Sequence, residues 1–401
     1  MTEVTGVLSQ GRDFLAIPGP TVVPDEVLSA MHRPAIDIYA GSLIDVTESC
    51  LTSLQSVFQT RGSVYMYAAN GHGAWEAALG NVLSRGDEIL VLESGLFAKT
   101  WGDSAALQDL NVHYVSGDWR QPVDYAAAAE ILKTDKNHRI KALLAVQVDT
   151  ASGVVNDVPR IRRLLDDTNH PALLMIDCIA SLGTMPFLMD DWNVDVAVAG
   201  SQKGLMMPPG LSFVAASSKA KAAHKSADLR TQYWDWTFRD GPEHYMKYCG
   251  TPPEHLMFGL KCALDMLLEE GLTTAFKRHE LLADAVRSAV VAWGSNGLMK
   301  LNIKNPDARA NSVTAITLAE GRSAAVLLQW CEDNASVKLG ITIGDLHGKG
   351  FRIGHMGYVN APMVLGVLSV IETALYALDW EIASSGVAAA TRELGTTLKE
   401  L

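Results

Sequence analysis

Val194–Gly204 reads VDVAVAGSQKG. A run of alternating small and β-branched residues, typical of a buried strand, stops at Gly200 and is followed by Ser-Gln-Lys and a second glycine. Lys203 is therefore predicted on a tight turn at the end of a buried strand. A lysine held beside apolar walls can lose its proton near neutral pH and act as a nucleophile. The residues predicted at neighbouring strand ends decide what chemistry Lys203 can support.

Short apolar runs alternate with helix-period segments from about Ser63 to Ser217. The predicted strands are Val64–Ala68, Ile89–Leu92, Ala142–Val146, Leu173–Ile176, Val194–Ala199 and Ser212–Ala216. The predicted helices between them are Ala74–Leu83, Ala98–Leu110, Asp124–Lys133 and Val158–Asp167. Several strands are apolar almost throughout, as strands covered on both faces by helices must be. The alternation predicts an α/β fold with a mostly parallel sheet, in which ligands bind outside the carboxyl ends of the strands.

The C-terminal third of the chain has a different pattern. A long helical stretch, roughly Pro253–Glu270, leads out of the α/β region, and after Ala275 the pattern becomes helix, strand, helix, strand. The candidate strands there are Ser312–Leu318 and Phe351–Ile353, and the candidate helices are Ser323–Asp333 and Ala361–Leu378. The Ala/Gly-rich Ser384–Thr391 is predicted as a loop or a weak last helix. We therefore predict an N-terminal arm at residues 1–20, a large domain at 21–265 and a smaller α+β domain at 266–401.

Composition and charge exclude several classes of function. The 401 residues are 48% hydrophobic and 19% charged, which indicates a globular chain, and the formal net charge of -12 disfavours non-specific nucleic-acid binding. No apolar run approaches the length of a membrane span, and residues 1–14 lack the apolar core of a signal peptide. The five cysteines form no CxxC pair and the histidines show no ligand spacing. We therefore expect reduced thiols, a cytoplasmic location and no bound metal.

Asp177 ends the apolar run PALLMID and is predicted at the mouth of a buried strand. An aspartate there is a helix cap, a metal ligand or a partner for a buried cation, and for a single residue the cap is the commonest case. Asp177 and Lys203 both follow candidate strands, with one connection between them. They are therefore expected to open onto the same edge of the sheet.

The sequence NGHGAWE, residues 70–76, follows the first predicted strand of the α/β region and opens a helix. Backbone amides at such a turn, with the helix dipole behind them, form an anion site. Gly71 and Gly73 are present, but Glu76 stands where a dinucleotide fingerprint needs a third glycine. We therefore predict a cradle for a single phosphate, although a helix N-terminus without a ligand has the same pattern.

The sequence DTASG, residues 149–153, adds hydroxyl groups at the end of a third predicted strand. Together the strand ends supply a phosphate cradle, a carboxylate, a hydroxyl-bearing loop and a lysine. Pyridoxal phosphate needs a lysine for covalent attachment, a carboxylate at its pyridine nitrogen, an anion site for its phosphate and a side chain stacked on its ring. Each feature alone is common in proteins. In this order at successive strand ends, they predict pyridoxal phosphate as the cofactor.

Motifs along nearly the whole chain resemble those of one enzyme family. They are IPGPTVVPDEVLSAM from Ile17, NGHGAWEAAL from Asn70, LLMIDCIASLG from Leu173, GSQKGLMMPPG from Gly200, RIGHMG from Arg352 and SGVAAA from Ser385. With these motifs the chain resembles a class V pyridoxal-phosphate aminotransferase of the alanine–glyoxylate and serine–glyoxylate group. The resemblance implies the fold-type I architecture, with a mostly parallel sheet in the large domain and a smaller α+β C-terminal domain.

The resemblance also implies roles for the residues around the cofactor. Lys203 would carry the cofactor, and Asp177 would pair with its pyridine nitrogen. The other contacts implied within one subunit are Gly71 and His72 at the phosphate, Thr150 at the ring hydroxyl, and Phe97, Ile179 and Gln202 at the ring. Tyr248 and Thr251, in MKYCGTPP, would reach the phosphate in the neighbouring subunit. That last implication predicts a homodimer with shared active sites.

The chain departs from the family's pattern in its substrate recognition. Arg352 matches the arginine that holds the substrate carboxylate, a task for which a bidentate guanidinium is well suited. Relatives that use glyoxylate often have HRSP or YRSP after an early aspartate, whereas here Asp37 is followed by IYAGS, with Tyr39 in place of the arginine. The change removes a cation from the substrate entrance and argues against a dicarboxylate donor. We interpret the aromatic segment Gln232–Tyr248 as dimer interface rather than as a roomier donor pocket.

The predicted function is transfer of an amino group from an amino acid, such as serine or alanine, to a small 2-oxo acid such as glyoxylate or pyruvate. Three alternatives stay open. In one, an unusual amine such as pyridoxamine is the donor and pyruvate the acceptor. In another, the enzyme is a lyase or desulfurase, which usually needs a mobile cysteine, and Cys178 and Cys249 lie in the wrong segments for that. The third, a non-catalytic relative, is disfavoured by the presence of Lys203, Asp177 and Arg352.

Overall fold

The computed structural model describes Gly6 and residues 8–399 of the chain. The strands in these residues are β1 (Phe14–Ala16), β2 (Ser63–Tyr67), β3 (Glu88–Leu92), β4 (Asn111–Val115), β5 (Ile140–Val146), β6 (Val148–Asp149), β7 (Val154–Val155), β8 (Leu173–Asp177), β9 (Val196–Gly200), β10 (Ser212–Ala216), β11 (Met299–Leu301), β12 (Val313–Leu318), β13 (Val337–Ile341) and β14 (Gly350–Gly354). The helices are α1 (Asp25–Met31), α2 (Ser42–Phe58), α3 (Gly71–Val82), α4 (Leu96–Ala106), α5 (Tyr125–Thr134), α6 (Val158–Asp167), α7 (Ser218–His224), α8 (Trp236–Arg239), α9 (Glu254–Glu270), α10 (Leu272–Gly294), α11 (Ala324–Ala335), α12 (Ala361–Ala377) and α13 (Gly386–Thr397). Short 3-10 helices span His244–Tyr248, Pro306–Ala308 and Gly344–Leu346. None of the helices in the described residues is long and apolar enough to cross a membrane.

The larger sheet has the strand order β2-β10-β9-β8-β5-β3-β4. β10 runs antiparallel to β2 and β9, and the other neighbouring strands are parallel. β8, β9 and β10 are buried along their whole length because apolar clusters cover both faces of the sheet. The α/β class with a mostly parallel sheet is confirmed. The carboxyl ends of β2, β3, β5, β8 and β9 therefore meet at one edge.

The predicted strands of this sheet all form, with small shifts at their ends. β9 begins at Val196 rather than Val194 because Asp195 has another role: its carboxylate accepts a hydrogen bond from the backbone amide of Leu174 at 2.8 Å. β4 was not predicted from the sequence. That edge strand alternates between exposed and partly buried residues and so lacks an apolar run.

The smaller sheet has the order β1-β13-β14-β12-β11. β12 and β14 correspond to predicted strands, whereas β11 and β13 were not predicted. β1 pairs in parallel with β13, so a segment predicted within the N-terminal arm adds a strand to the C-terminal sheet. The division at residues 20 and 265 stays a prediction, and residues 1–5 and 7 of the proposed arm lie outside the described residues.

The last helix is longer than the sequence pattern indicates. Ser384–Thr391 was predicted as a loop or a weak helix, but α13 runs from Gly386 to Thr397. The hydroxyl of Ser385 caps it by accepting a hydrogen bond from the amide of Ala388 at 3.1 Å. Gly386 lies so close to the indole of Trp293 on α10 that a Cβ would collide with it. This close approach packs α13 against α10 and stabilises a helix whose composition is unfavourable.

Candidate active site

A cavity of about 290 Å³ opens at the carboxyl edge of the larger sheet. It is lined by Asn70, Gly71, His72, Trp75, Phe97, Val146, Val148, Thr150, Asp177, Ile179, Ala180, Gln202 and Lys203. The structure thus brings together the residues that were predicted to contact the cofactor within one subunit: Gly71, His72, Phe97, Thr150, Asp177, Ile179, Gln202 and Lys203. Their individual roles remain predictions.

Asp177 ends β8, and two donors hold its carboxylate. The indole Nε1 of Trp75 donates to Oδ2 at 2.7 Å, and the backbone amide of Ile179 donates to Oδ1 at 2.7 Å. Burial raises the pKa of Asp177 to about 7, although both hydrogen bonds act in the opposite direction. A carboxylate removed from water in this way interacts strongly with any cation placed beside it.

Lys203 lies on the turn that follows β9, as the sequence GSQKG predicts. Its ammonium donates to the carbonyl oxygen of Pro18, and its own carbonyl accepts a hydrogen bond from the hydroxyl of Thr21 at 3.1 Å. Burial, and then the positive charge of Arg352, lower the pKa of Lys203 to about 8, while Asp177 acts in the opposite direction. Lys203 therefore has a neutral fraction at physiological pH, which a nucleophile or a proton acceptor requires.

The N-terminus of α3 forms the predicted cradle. Oδ1 of Asn70 caps the helix and accepts hydrogen bonds from the amides of His72 at 3.1 Å and Gly73 at 3.3 Å. Gly71 packs so closely on Ile179 that a Cβ would collide with its side chain. Asn70 thus takes the amides of His72 and Gly73, whereas the amide of Gly71 makes no hydrogen bond within the described residues and lies at the positive end of the helix dipole. This end of the cavity is therefore suited to an anion.

Aromatic rings form one wall of the cavity. The ring of Phe97, near the start of α4, lies 6.5 Å from that of Trp75, and His72 lies 4.5 Å from Trp75. Trp101 stacks on Trp75 at 5.9 Å. The sequence analysis did not single out Trp75, although its position four residues after Gly71 places it on the same face of α3. These rings provide an apolar surface on which a flat ligand can lie.

Asp149 is a buried carboxylate that the sequence analysis placed only within the loop DTASG. Its Oδ2 accepts hydrogen bonds from the amides of Phe97 at 2.9 Å and Ala98 at 3.1 Å, and its Oδ1 accepts one from Ala151 at 2.9 Å. Burial raises the pKa of Asp149 to about 6, while these hydrogen bonds and the charge of Arg352 act in the opposite direction. No local sequence signal reveals this role, because Phe97 and Ala98 lie on a different element, α4.

Arg352 lies on β14, in the smaller sheet, and reaches the loop behind the cavity. Its Nε donates to the carbonyl of Ile341 at 2.7 Å, and its Nη1 donates to the carbonyl of Thr150 at 2.8 Å. Burial lowers the pKa of Arg352 to about 10, and the negative charge of Asp149 opposes that effect. Arg352 does not line the cavity itself but is bonded to a residue that does.

A family model described as aminotransferase class V matches residues 16–352. The chain belongs to this family. A serine–glyoxylate aminotransferase from Methylorubrum extorquens is 38% identical to it over 393 residues, which cover 96% of each chain. An L-aspartate–glyoxylate aminotransferase from Paracoccus denitrificans is also 38% identical, over 93% of this chain and 94% of the relative. Among solved structures, a pyridoxamine–pyruvate aminotransferase from Mesorhizobium loti matches with a TM-score of 0.86 at 25% identity, over 96% of this chain and 97% of that one.

Membership of the class V aminotransferases confirms the predicted resemblance, the fold-type I architecture and the assignment as an enzyme that transfers amino groups. The cysteines give no support to the desulfurase alternative. The thiol of Cys178 is buried, donates to the carbonyl of Val198 at 3.2 Å and has a pKa raised well above the usual value by burial. The thiol of Cys249 donates to the carbonyl of Gln232 at 3.5 Å, and neither residue lines the cavity.

Three residues predicted at the active site of this aminotransferase lie away from the cavity in the single chain. The side chain of Tyr39 is 71% exposed, and Thr251 is also exposed. Tyr248 is buried, and its hydroxyl lies 2.6 Å from that of Thr47, with which it shares a hydrogen bond. The contacts of Tyr248 and Thr251 with a neighbouring subunit, and that of Tyr39 with substrate, therefore stay predictions.

Proposed function

We propose that this aminotransferase uses pyridoxal phosphate to transfer an amino group from a small amino acid, such as serine or alanine, to a small 2-oxo acid such as glyoxylate or pyruvate. The observation that carries the proposal is the convergence of Lys203, Asp177 and the N-terminus of α3 on one cavity. Membership of the family implies the cofactor. Two relatives at 38% identity are named for reactions with glyoxylate. Tyr39, in place of an arginine, favours serine or alanine over aspartate as the donor.

The chemistry of the cavity fits pyridoxal phosphate. Oε1 of Gln202 is buried and accepts no hydrogen bond from the described residues, so it is available to a polar group on a bound molecule. The glycine at position 71 lets Ile179 pack directly against the start of α3, beside the amides that suit a phosphate. The residues that would hold the group are Gly71 and His72 at the phosphate, Thr150 at the ring hydroxyl, Phe97, Ile179 and Gln202 at the ring, and Asp177 at the pyridine nitrogen.

The chain's own residues would orient the reactants and move protons. When bound, pyridoxal phosphate supplies an electron sink that stabilises negative charge at the α-carbon of an amino acid. Asp177, held by Trp75 and Ile179, presents a negative charge that favours a protonated pyridine nitrogen. Nζ of Lys203 accepts the proton from the α-carbon of the donor, and in the reverse direction it returns a proton to the α-carbon derived from the acceptor.

Arg352 would hold the substrate carboxylate. Its Nε and Nη1 are anchored to the carbonyls of Ile341 and Thr150, whereas its Nη2 makes no hydrogen bond within the described residues. The anchored guanidinium is thus fixed in direction and retains a donor for an incoming carboxylate. An arginine positioned in this way loses little side-chain freedom when substrate binds.

We further propose that the enzyme is a homodimer with shared active sites and that it works in the cytoplasm. Thr251 lies on the surface, away from the cavity of its own chain, as expected of a residue that serves a neighbouring subunit. All five cysteines are free thiols, which supports a reducing compartment.

The proposed function is tested by a donor panel and by the variant Lys203→Ala. Wild-type protein supplied with pyridoxal phosphate is expected to be yellow, to bleach when an amino donor is added, and to turn over fastest with serine or alanine and glyoxylate or pyruvate. Lys203→Ala is expected to lose the yellow absorbance and at least about a thousandfold of turnover, because it removes the only nucleophile and base assigned to the site. Absorbance spectra and coupled assays of 2-oxo acid formation measure both effects.

Lys219→Ala is the matched control, since Lys219 lies at the opposite edge of the sheet, where it donates to the carbonyl of Ala172 at 2.8 Å. That variant is expected to behave as wild type. Transamination retained in Lys203→Ala would contradict the proposal. Fastest turnover with pyridoxamine and pyruvate would replace the proposed donor with the second candidate, and fastest turnover with aspartate would show that Tyr39 does not exclude dicarboxylates.

A further inference from the structure

Asp149 joins two elements of the cavity wall that are far apart in sequence. Helix α4 has no side-chain cap of its own, because its N-cap residue is Gly95. The two oxygens of Asp149 accept hydrogen bonds from the amides of Phe97 and Ala98 at the start of α4 and from Ala151 in its own loop. A carboxylate at a helix N-terminus also interacts favourably with the helix dipole. Asp149 therefore takes the place of a capping side chain at the N-terminus of α4, although it comes from another part of the chain.

The glycine at position 95 makes this arrangement possible. A Cβ built on Gly95 would collide with all three carboxylate atoms of Asp149, Cγ, Oδ1 and Oδ2. The φ angle of Gly95 is 176°, an extended conformation that any residue can adopt, so the glycine is required by space and not by backbone conformation. Asp149 itself has no exposed surface. The fit of glycine against carboxylate thus fixes where α4 begins.

The start of α4 is the part of the helix that faces the cavity. Phe97, whose amide donates to Asp149, lines the cavity, and so does Thr150, the residue after Asp149. The carbonyl of Thr150 accepts the hydrogen bond from Nη1 of Arg352. A shift of Asp149 would therefore move Phe97 and the loop that anchors Arg352 at the same time.

We infer that Asp149 is a positioning residue for cofactor binding, which acts by holding Phe97 against the ring of the bound cofactor. The inference rests on the proposed use of pyridoxal phosphate and adds a residue to which the proposed chemistry gave no part. Asp149 does not itself line the cavity, so it acts through the backbone of α4 and not by touching the ligand.

The experiment is a double-mutant cycle read by the dissociation constant of pyridoxal phosphate. Apoenzyme is titrated with pyridoxal phosphate for wild type, Asp149→Asn, Phe97→Leu and the double variant, with tryptophan fluorescence and cofactor absorbance as readouts. Asp149→Asn keeps the shape of the side chain but turns an NH2 group toward a backbone amide, and one unsatisfied buried donor is expected to weaken binding about tenfold. Because both residues act through one contact, the double variant is expected to bind no more weakly than the worse single variant.

Two further variants are needed. One tests the position of the Asp149 carboxylate apart from its charge, and the other controls for a general loss of stability. Gly95→Ala keeps the carboxylate but displaces it, and it is expected to weaken pyridoxal phosphate binding to a similar extent. Asp124→Ala is the control, because Oδ1 of Asp124 accepts from the amides of Ala126 and Ala127 at 3.0 Å each at the start of α5 and alanine removes this cap. It is expected to lower thermal stability while leaving the dissociation constant of pyridoxal phosphate unchanged within about twofold.

Additive losses in the double variant, or wild-type affinity in both Asp149→Asn and Gly95→Ala, would overturn the inference while leaving the proposed function intact. Should Asp149→Asn fail to fold, the cycle is run with Gly95→Ala and Phe97→Leu, with the same criteria. A wild-type chain that does not bind pyridoxal phosphate would overturn the proposed function and this inference together.

Discussion

At the scale of single residues, Asp177 shows how hydrogen bonds limit the rise in the pKa of a buried carboxylate. Desolvation favours the protonated acid, and the nearby charge of Asp149 acts in the same direction. The indole of Trp75 and the amide of Ile179 oppose both effects, because each donates a hydrogen bond at 2.7 Å that stabilises the charged form. Trp75 therefore acts in the site through Asp177, by stabilising the charged form of its carboxylate.

The first prediction at this scale concerns Trp75→Phe. This change keeps an aromatic ring but removes the hydrogen bond to Oδ2 of Asp177. The pKa of Asp177 is then expected to rise further, so the charged form is lost at a higher pH as acid is added. A hydrogen bond to a charged group contributes about 1.5–3 kcal/mol, so the acidic limb of the pH profile of kcat/KM is expected to move up by about one to two pH units. A pH profile of kcat/KM measures the shift.

Trp101→Phe is the matched control for Trp75→Phe. Trp101 stacks on Trp75 at 5.9 Å, but its indole nitrogen is buried and donates no hydrogen bond within the described residues. The same substitution there removes similar ring area and no hydrogen bond to Asp177. The acidic limb of the pH profile of kcat/KM for Trp101→Phe is expected to match that of wild type. Equal shifts in the two variants would show that ring packing, not the hydrogen bond, controls Asp177.

Residue types at strand ends could be predicted, whereas the contacts made by side chains from distant elements could not. Lys203, Asp177 and Gly71 were found because glycines and polar residues interrupt apolar runs at these positions. The partner amides of Asp149 lie on a helix about fifty residues earlier in the chain, which no local pattern encodes. Tyr248 was assigned from the resemblance alone, and in the single chain its hydroxyl is bonded to Thr47.

At the scale of elements, α10 clamps the loop that follows β14. Nε2 of His279 accepts a hydrogen bond from the amide of Gly357 at 3.0 Å. Nη1 of Arg278 donates to the carbonyls of Gly357 and Val359 at 3.0 and 2.8 Å, and its guanidinium is paired with Glu270. Gly357 packs near the carbonyl of Lys203, where a Cβ would be tightly placed. The helix thus supports the turn of Lys203 from behind.

The prediction at this scale concerns how acid affects the contact between His279 of α10 and the loop that follows β14. Burial, and then the charge of Arg278, lower the pKa of His279 to about 4, while Glu270 acts in the opposite direction. Below about pH 6.5 the unfolded chain binds a proton at His279, whereas the folded chain does not. The free energy of unfolding is therefore highest above that pH and decreases as the pH falls toward 4. The lowered pKa corresponds to roughly 3 kcal/mol. His279→Gln keeps an acceptor for Gly357 and is expected to lose that part of the pH dependence.

His279→Leu is compared with His279→Gln by urea unfolding at pH 7 and pH 5. The leucine leaves the amide of Gly357 without an acceptor, so it is expected to cost about 1–3 kcal/mol at pH 7, whereas the glutamine costs less. His355, whose pKa burial lowers to about 3, is also affected by the charge of His279, so His279→Gln and His279→Leu, which both lack that charge, are compared with each other as well as with wild type. An unchanged difference in stability between pH 7 and pH 5 in both variants would contradict the assignment to His279.

Burial explains why some elements could be predicted from the sequence and others could not. β8, β9 and β10 are buried on both faces and read as apolar runs, so their positions were predicted closely. β13 follows α11 after the single residue Ser336, and its exposed residues Lys338 and Ile341 interrupt the buried ones, so no apolar run marks a strand there. α13 depends on its packing against Trp293, a contact about ninety residues away in sequence.

At the scale of the whole molecule, the start of the chain links the two sheets. β1 pairs with β13 in the smaller sheet, and the carbonyl of Pro18, just after β1, accepts the hydrogen bond from the ammonium of Lys203. Thr21 then donates to the carbonyl of Lys203 at 3.1 Å. The N-terminal segment therefore connects the sheet that carries Arg352 with the turn that carries Lys203. Residues near both ends of the region that the family model matches, 16–352, are thereby brought together in one site.

The last prediction concerns the proposed sharing of sites between two chains. Thr251→Glu places a negative charge at an exposed position that was predicted to reach the phosphate in the neighbouring subunit. Repulsion of the phosphate is expected to weaken pyridoxal phosphate binding strongly in the homodimeric variant, with little cost to the folding of the single chain, in which Thr251 is exposed. Lys203→Ala homodimers are inactive for a different reason, the loss of the lysine itself.

Mixing the two variants separates shared from unshared sites. In a hybrid dimer, one site combines Lys203 of the Thr251→Glu chain with Thr251 of the Lys203→Ala chain, and that site is intact. Each hybrid has one intact site out of two, so the purified hybrid dimer is expected to have about half of wild-type activity. If Thr251 served the site of its own chain, every site would carry one of the two defects and mixing would restore nothing. Co-expression with two purification tags, followed by assay of the doubly tagged dimer, measures which outcome holds.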